Sequence, residues 1–364
     1  MRVGIVTQPL EMNYGGILQN WALQQALKRL GHDPITIDAY QRYTLPHYLF
    51  SVVRAFYKRL RRKPGWEYPH RYHGSMRRKE TGLFVERNIN KTKVMWEYDR
   101  KVVKRYDMEA LIVGSDQVWR THYNKSHIED KFLKFAEGLP LRRIAYAASF
   151  GVDYWMYTPE QTAVCAPLAK QFDAISVRED SAVEHCRKYF DVEAIRVLDP
   201  TLLLNAQDYQ SIIDLNWDPG EPYLAVYCLD LTRAKSAFFN RLAKERGLRV
   251  RYFTAGVDAK LTIEQWLAMF YHATVLVTDS FHGTVFSILF GKEFYSLGNP
   301  HRGNARMQGL LGLVGLKDRL LSDKEPDESQ AKEIDWKSVY SLLDEERRQS
   351  MEFLSSSLAP TEKK

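Results

Sequence analysis

Residues 2–38 read RVGIVTQPLEMNYGGILQNWALQQALKRLGHDPITID, and this stretch decides the fold class. Arg2 to Val6 is a short apolar, β-branched run, the pattern of a buried strand. Residues 7–16 form a polar loop that ends in two glycines. Across residues 17–30 the apolar positions Leu18, Trp21, Ala22, Leu23, Ala26, Leu27 and Leu30 return at helical spacing, and Gly31 stands where such a helix stops. Residues 34–38 then read as a second strand. Strand, loop, helix, strand is the opening of a parallel α/β sheet.

The pattern recurs downstream. Strands are expected at 110–113, 143–149, 174–177 and 194–198, with a helix over 181–190. A break rich in Asn, Asp and Pro follows at 216–222. A second series has strands at 223–229, 249–253, 275–278 and 294–297, and helices at 232–246, 263–272 and 283–289. The expected fold class is α/β, with two Rossmann-like domains facing a cleft. Residues 1–215 form the N-terminal domain, including a basic insertion at about 49–105. Residues 216–330 form the C-terminal domain, and residues 331–364 a charged C-terminal helix and tail. A length of 364 residues suits two domains of about 150 each. Ligands of open α/β sheets sit beyond the carboxyl ends of the strands, so the loops there are the functional candidates.

Composition narrows the function classes. At 45% hydrophobic and 27% charged, the chain is ordinary for a globular protein. No apolar run approaches the roughly 18 residues that span a bilayer. Residues 1–10 read as a strand and loop, not as a cleavable signal. Cys165, Cys186 and Cys228 are odd in number and lack metal-type spacing, so neither a disulfide framework nor a zinc site is expected, and the protein reads as reduced and cytoplasmic. The net charge of +7 is localised: residues 54–105 carry net +12 and the remainder net −5. That concentration points to a local anionic partner. Leu49, Val52, Val53, Phe56 and Leu60 lie on one helical face, with Arg54, Lys58, Arg59, Arg61, Arg62 and Lys63 filling much of the rest. Such a helix suits an anionic membrane interface, so segment 49–63 is expected to make a peripheral membrane contact. No nucleic-acid-binding module pattern is present, and no nucleic acid is expected as partner. No G-x-G-x-x-G follows a strand, and no Walker loop, H-E-x-x-H or G-x-S-x-G occurs, so dinucleotide, P-loop, zincin and α/β-hydrolase chemistry lose support.

The strand-end loops carry the chemistry. Asn13-Tyr14-Gly15-Gly16 precedes the first helix, where free N–H groups and close backbone approach favour an anion. In Gly114-Ser115-Asp116-Gln117-Val118-Trp119, Asp116 and Gln117 can bind sugar hydroxyls and Trp119 can stack on a sugar face; a capping Asp and a core Trp are the alternative. Arg178, at the end of the 174–177 strand, is suited to a carboxylate or phosphate, or to a local ion pair. Thr278-Asp279-Ser280-Phe281-His282-Gly283-Thr284 runs from a buried strand into an apolar helix and sets His282 at the cleft, where an imidazole can move a proton near neutral pH. Arg302 and Arg306 follow the final strand and add two guanidiniums near the same edge.

Taken in order, these motifs resemble the polysaccharide pyruvyl transferase family. The resemblance rests on Asn13-Tyr14-Gly15 with Leu18-Gln19 and Ala22-Leu23-Gln24, then Gly114 to Trp119, Ala148-Ser149-Phe150-Gly151, and Ser176-Val177-Arg178-Glu179. It closes with Asp199-Pro200-Thr201-Leu202-Leu203 and Ser280-Phe281-His282-Gly283. The resemblance implies a GT-B-like fold and transfer of the enolpyruvyl carbons of phosphoenolpyruvate onto two hydroxyls of one sugar, giving a cyclic ketal and phosphate. It casts His282 as general acid or base, and places Arg178, Ser280, Phe281, Gly283, Arg302 and Arg306 at phosphoenolpyruvate. Asn13, Tyr14, Gly15, Ser115, Asp116, Gln117 and Trp119 then fall to the acceptor sugar or the cleft. Some members carry Arg at the position of Ser280, so Arg302 or Arg306 is expected to replace it. No cofactor or metal is called for: one proton shuttle and several anion donors meet the chemistry. The inferred acceptor is a sugar of a polysaccharide precursor, of the polyprenyl-diphosphate-linked kind, which would bring the enzyme to the inner face of the cell membrane. The alternative is a GT-B glycosyltransferase using a nucleotide sugar; against it, residues 285–289 offer no Glu to bind a donor ribose.

Overall fold

A computed structural model of the chain describes residues 1–40, 45–61, 79–124, 127–217, 220–255 and 260–359. Two parallel sheets organise it. The first comprises β1 (Arg2–Val6), β2 (Asp33–Thr36), β3 (Ala110–Val113), β4 (Arg142–Ala148), β5 (Ala174–Val177) and β6 (Ile195–Arg196), in the order β2-β1-β3-β4-β5-β6. The second comprises β7 (Tyr223–Tyr227), β8 (Arg249–Tyr252), β9 (Val275–Thr278), β10 (Glu293–Leu297) and β11 (Leu320–Leu321), in the order β11-β10-β9-β7-β8. Every neighbouring pair is parallel, so each link is a crossover.

Helices α1 (Tyr14–Arg29), α2 (Leu45–Leu60), α3 (Lys79–Asn88), α4 (Lys101–Arg105), α5 (Pro159–Ala169), α6 (Asp180–His185) and α7 (Ala206–Tyr209) belong to the first half. Helices α8 (Arg233–Glu245), α9 (Ile263–Tyr271), α10 (Phe281–Leu289) and α11 (Ala305–Leu313) belong to the second. The last helix, α12 (Trp336–Leu358), returns to the first half: Ser350 accepts from the Leu198 amide, and Arg347 donates to the Leu202 carbonyl. Val339, Leu343, Leu354 and Leu358 sit in a core continuous with α1, α9 and α10. The tail thus packs across the two halves.

The order of each sheet decides where a ligand can go. In the first sheet the chain leaves β1 toward β2 and comes back on the other side at β3. In the second it leaves β7 toward β8 and comes back at β9. These are topological switch points, where the loops diverge and leave a crevice beyond the strand ends. The loops concerned hold residues 7–16 and 114–117 in one half, and 228–230 and 279–282 in the other.

Most elements sit within one to three residues of the sequence expectation. The helix over 181–190 divides into α6 and a turn of wider π-type helix, Cys186–Phe190, and the strand at 194–198 shortens to β6. The three cysteine thiols are buried and unpaired. Among the described residues no helix is long and apolar enough to cross a membrane.

Candidate active site

Both switch points open on one cavity of about 470 Å³. Its walls include Gln8, Asn13, Gly15, Gly16, Asp116 and Gln117 from the first half, and Leu229, Asp279, Ser280, Phe281, His282, Arg302, Gly303 and Arg306 from the second. Close backbone contact joins the halves. A side-chain carbon added to Gly15 would lie 2.0 Å from His282 Nδ1, and one added to Gly303 would lie 2.2 Å from the Gly151 carbonyl oxygen. Tyr14 stacks on Trp266 at 5.3 Å between ring centroids, and the Arg120 guanidinium donates to the His301 carbonyl at 3.4 Å.

His282 lies in the first turn of α10, capped by Ser280, whose Oγ accepts from the Gly283 amide. His282 is buried, its side chain 8% exposed, and the carboxylate of Asp199 stands with Oδ2 3.8 Å from Nε2. Among the described residues Nε2 has no hydrogen-bond partner. Burial holds the imidazole below its ordinary 6.5, with Asp199 and Asp116 pulling the other way. His282 is therefore neutral at pH 7 in the free protein.

Asp199 is the hub behind it. Arg178 donates to Asp199 Oδ2 at 2.5 Å, and Thr201 donates to Oδ1 through both its amide and its hydroxyl. Burial opposes the charge on Asp199, yet Arg178, then His282 and Thr201, keep its carboxyl below the usual carboxylate range. Arg178 also reaches Asp116 at 3.4 Å, and Asn13 donates to the other oxygen of Asp116. Phe281 lies beneath two guanidiniums, those of Arg178 at 4.7 Å and Arg306 at 5.6 Å from its ring centroid.

The three arginines differ in what already holds them. Arg178 carries two carboxylates and is not in the cavity wall. Arg302 is in the wall, but Asp230 accepts from its Nε at 2.5 Å. Arg306 is in the wall, 7% exposed, and among the described residues no carboxylate pairs with it. One of its terminal nitrogens donates to the Arg302 carbonyl, and its buried Nε has no partner among the described residues. Burial, and next the charge of Arg178, push its pKa down to about 10.

The other expected residues divide between wall and core. Asn13, Gly15, Asp116, Gln117, Ser280 and Phe281 line the cavity. Gly283 stands one residue behind it, packed against Thr278, where a side-chain carbon would meet Thr278 Oγ1 at 2.1 Å. Ser115 is fully buried and donates to the Ala147 carbonyl. Tyr14 is fully buried, its hydroxyl bound to the Leu261 carbonyl. Trp119 does not take the sugar-stacking role expected of it. It is fully buried, stacked on Phe132 at 4.9 Å, and its Nε1 donates to the Lys131 carbonyl, so no ring face remains for a sugar. The alternative of a core Trp is the one its surroundings support.

Sequence reading passed over Asp199, Lys131 and Tyr98 as site residues. Asp199 carried a signal, an Asp-Pro at a strand end. Lys131 carried none, since Glu129-Asp130-Lys131 with Lys134 looks like a solvated run.

Two parallel α/β domains enclosing a cleft that holds a buried His and an unpaired Arg define a GT-B-like enzyme. The fold has structural counterparts. A protein assigned as a UDP-N-acetylglucosamine 2-epimerase from Listeria monocytogenes superposes with a TM-score of 0.53 at 9% identity, covering 97% of this chain and 90% of that one. The UDP-N-acetylglucosamine 2-epimerase of Rickettsia bellii gives a TM-score of 0.48 at 11% identity, covering 98% and 96%. A search of curated proteins finds no match. The family model for polysaccharide pyruvyl transferase matches residues 13–301, and the chain belongs to that family; it is a transferase.

Proposed function

We propose that this protein transfers the enolpyruvyl group of phosphoenolpyruvate to two hydroxyls of one sugar in a polysaccharide precursor, with the cavity between the switch points as the active site. Arg306 carries the proposal. A buried guanidinium without a carboxylate, in the same wall as a neutral buried imidazole, is a site prepared for an anion beside a proton carrier. Arg306 takes the place of the arginine that some family members carry where this chain has Ser280, because Arg302 is already neutralised by Asp230. Arg178 acts one step back, by holding Asp199 and Asp116 in place.

The chemistry follows from charge. His282 accepts the proton of the first hydroxyl, and the negative substrate raises the proton affinity of the imidazole. The imidazolium delivers that proton to the methylene carbon C3, the π pair of the double bond forms the new C3–H bond, and the first hydroxyl's oxygen attacks the cation-like C2 that results. The C2–O bond to phosphate then breaks, and the second hydroxyl closes the ketal as its own proton leaves. Calorimetry with phosphoenolpyruvate tests the donor. Binding by wild type, absent with UDP-sugars, is the expected result. Binding of UDP-sugars alone would replace this reading with nucleotide-sugar transfer.

Gly15 supplies a further test. Gly15→Ala places a methyl where His282 now sits, so the imidazole must move. Displacement of a reacting group by about 1 Å can cost 10²-fold in rate. We expect phosphate release to fall by about that factor, with a stability loss of roughly 1–3 kcal/mol from overpacking.

The acceptor is proposed to be polyprenyl-diphosphate-linked and met at a membrane surface, and α2 supports this. Leu49, Phe50, Val53, Phe56, Tyr57 and Leu60 form one continuous stripe, and all are exposed, Phe50 and Val53 at 65% and 66%. Among the residues of this helix whose burial is described, 48–60, only Ala55 is buried. The flanking Arg54, Arg59 and Arg61 are also exposed. Arg62 and Lys63, which the sequence placed on the same segment, lie outside the described residues. An apolar stripe bordered by cations matches an anionic bilayer, each basic side chain adding about 1 kcal/mol. Sedimentation with vesicles containing anionic lipid, weakened by salt and lost in Arg54→Glu/Lys58→Glu/Arg61→Glu and in Phe50→Ser/Val53→Ser, is expected. Equal sedimentation with neutral vesicles, or none with either, counts against a membrane partner.

A further inference from the structure

The cavity holds a second unusual cation. Lys131 is 2% exposed and lies in the same wall as His282. Its Nζ contacts the Thr7 carbonyl oxygen at 2.6 Å and the Tyr98 hydroxyl at 2.8 Å. Among the described residues no carboxylate pairs with it. Lys235 gives the contrast. It is equally buried, but Asp279 accepts from its Nζ at 2.6 Å. A buried ammonium with a partner is an ordinary structural ion pair. One without a partner, facing a cavity, is charged only at a cost and is readily deprotonated.

We infer that Lys131, held by Thr7 and Tyr98, is the base that takes the proton of the second acceptor hydroxyl during ketal closure. The inference rests on the pyruvyl-transfer reading, which leaves that proton without a carrier. Ketal formation removes two O–H protons. One passes through His282 to C3, where it remains as part of the new methyl group. The other is released as the second C–O bond forms and the C2–O bond to phosphate breaks, its electron pair leaving with phosphate. Lys131 as a free amine accepts this proton, and the ammonium returns it to the departing phosphate or to water. One such amine N–H bonds to Thr7, and the Tyr98 hydroxyl fixes the nitrogen from a second side, so that the remaining direction is set by the fold.

The electrostatic surroundings agree. Burial brings Lys131 down to about 7, and only Asp130 pulls appreciably the other way. Asp130 is itself raised to about 6 by burial. The Tyr98 phenol is pushed up by burial and by the Asp130 and Asp38 charges, so it stays protonated, and the Asp38 carboxylate is neutralised by Lys91 at 3.2 Å. Lys131 is thus a mixture of amine and ammonium at neutral pH, which suits a general base.

Competitive acetylation of the intact wild-type protein with acetic anhydride, followed by mass spectrometry of the Lys131 peptide from pH 5 to 10, needs no acceptor. The expected midpoint is near 7, against about 10.4 for exposed lysines. An ordinary midpoint, or no labelling at any pH, overturns the inference whatever the donor proves to be. Phosphate release from phosphoenolpyruvate with a panel of methyl hexosides supplies the second arm. Lys131→Arg keeps the charge and the donors but cannot act as a base, so both it and Lys131→Met should lose about 10²–10⁴ in rate while calorimetric binding of phosphoenolpyruvate persists. Activity of Lys131→Arg within threefold of wild type would make Lys131 a structural or anion-binding group. Failure of wild type to bind phosphoenolpyruvate would instead strike the parent reading and leave the acetylation midpoint as the measure of Lys131.

Discussion

His282→Ala should lower pyruvyl transfer by about 10²–10⁴, the usual worth of a positioned acid–base group, while the affinity for phosphoenolpyruvate changes by only a few fold. The reason lies in how the imidazole is held. Gly15 admits it, Ser280 caps its helix, and Asp199 stands 3.8 Å from Nε2. None of these contacts involves Arg306, the group proposed to hold the donor's anion, so removing the ring takes away the proposed proton carrier and leaves Arg306 in place. Phosphate release and calorimetry on the same preparation separate the two quantities. A variant within threefold of wild type in turnover would take His282 out of the mechanism. The pH dependence has a definite sign. The folded imidazole lies below 6.5, so as pH falls the unfolded chain takes up its proton first. Stability from this group is complete above pH 6.5 and is lost as pH falls below it. His282→Gln should remove that part of the acid-side loss, visible as a smaller drop in melting temperature between pH 7 and pH 5.5.

The architecture was largely legible in the sequence because buried parallel strands are short apolar runs, and the helices between them show the 3.6-residue period with glycine stops. Residues 2–38 illustrate this: β1, α1, Gly31 and β2 fall within three residues of the reading. The loops at 13–16, 114–117 and 279–282, which line the cavity, were legible as candidates for the same reason, since strand ends locate them. Partner choice was not legible. Arg178, Arg302 and Arg306 are equivalent as letters, and only the fold brings Asp199 to the first, Asp230 to the second and, among the described residues, no carboxylate to the third. Trp119 reads as a sugar platform in sequence because aromatic residues after strand ends serve both cores and ligands. Its place among Phe132, Phe150, Phe172 and Phe190 depends on elements far along the chain. The stripe of α2 shows the reverse case. Its period was evident, but periodicity cannot tell whether a face is covered, and here it is open.

Arg306→Met should weaken phosphoenolpyruvate binding by about 2–4 kcal/mol, roughly 30- to 1,000-fold in Kd, and should leave the unliganded protein as stable as wild type or more so. The two effects come from one fact. In the free protein the guanidinium is desolvated with no carboxylate partner among the described residues, and replacing a buried charge of this kind by an apolar chain of similar length removes that cost. The methionine can keep the packing against Phe281, over whose ring the Arg306 guanidinium now lies at 5.6 Å. When the anion arrives, the same charge becomes the partner it lacked, and its loss is felt in full. Arg178→Met is the control with the opposite signature. It would leave Asp199 buried with its main cation gone, and removing one partner of a buried pair costs about 3–5 kcal/mol of stability. Thermal melts with and without phosphoenolpyruvate distinguish them. Arg306→Met should melt at or above wild type and lose the ligand-induced rise, whereas Arg178→Met should melt well below wild type with or without ligand. If Arg306→Met retains the full rise, the donor's anion is bound elsewhere in the cavity, and Arg302 would have to release Asp230 to take it.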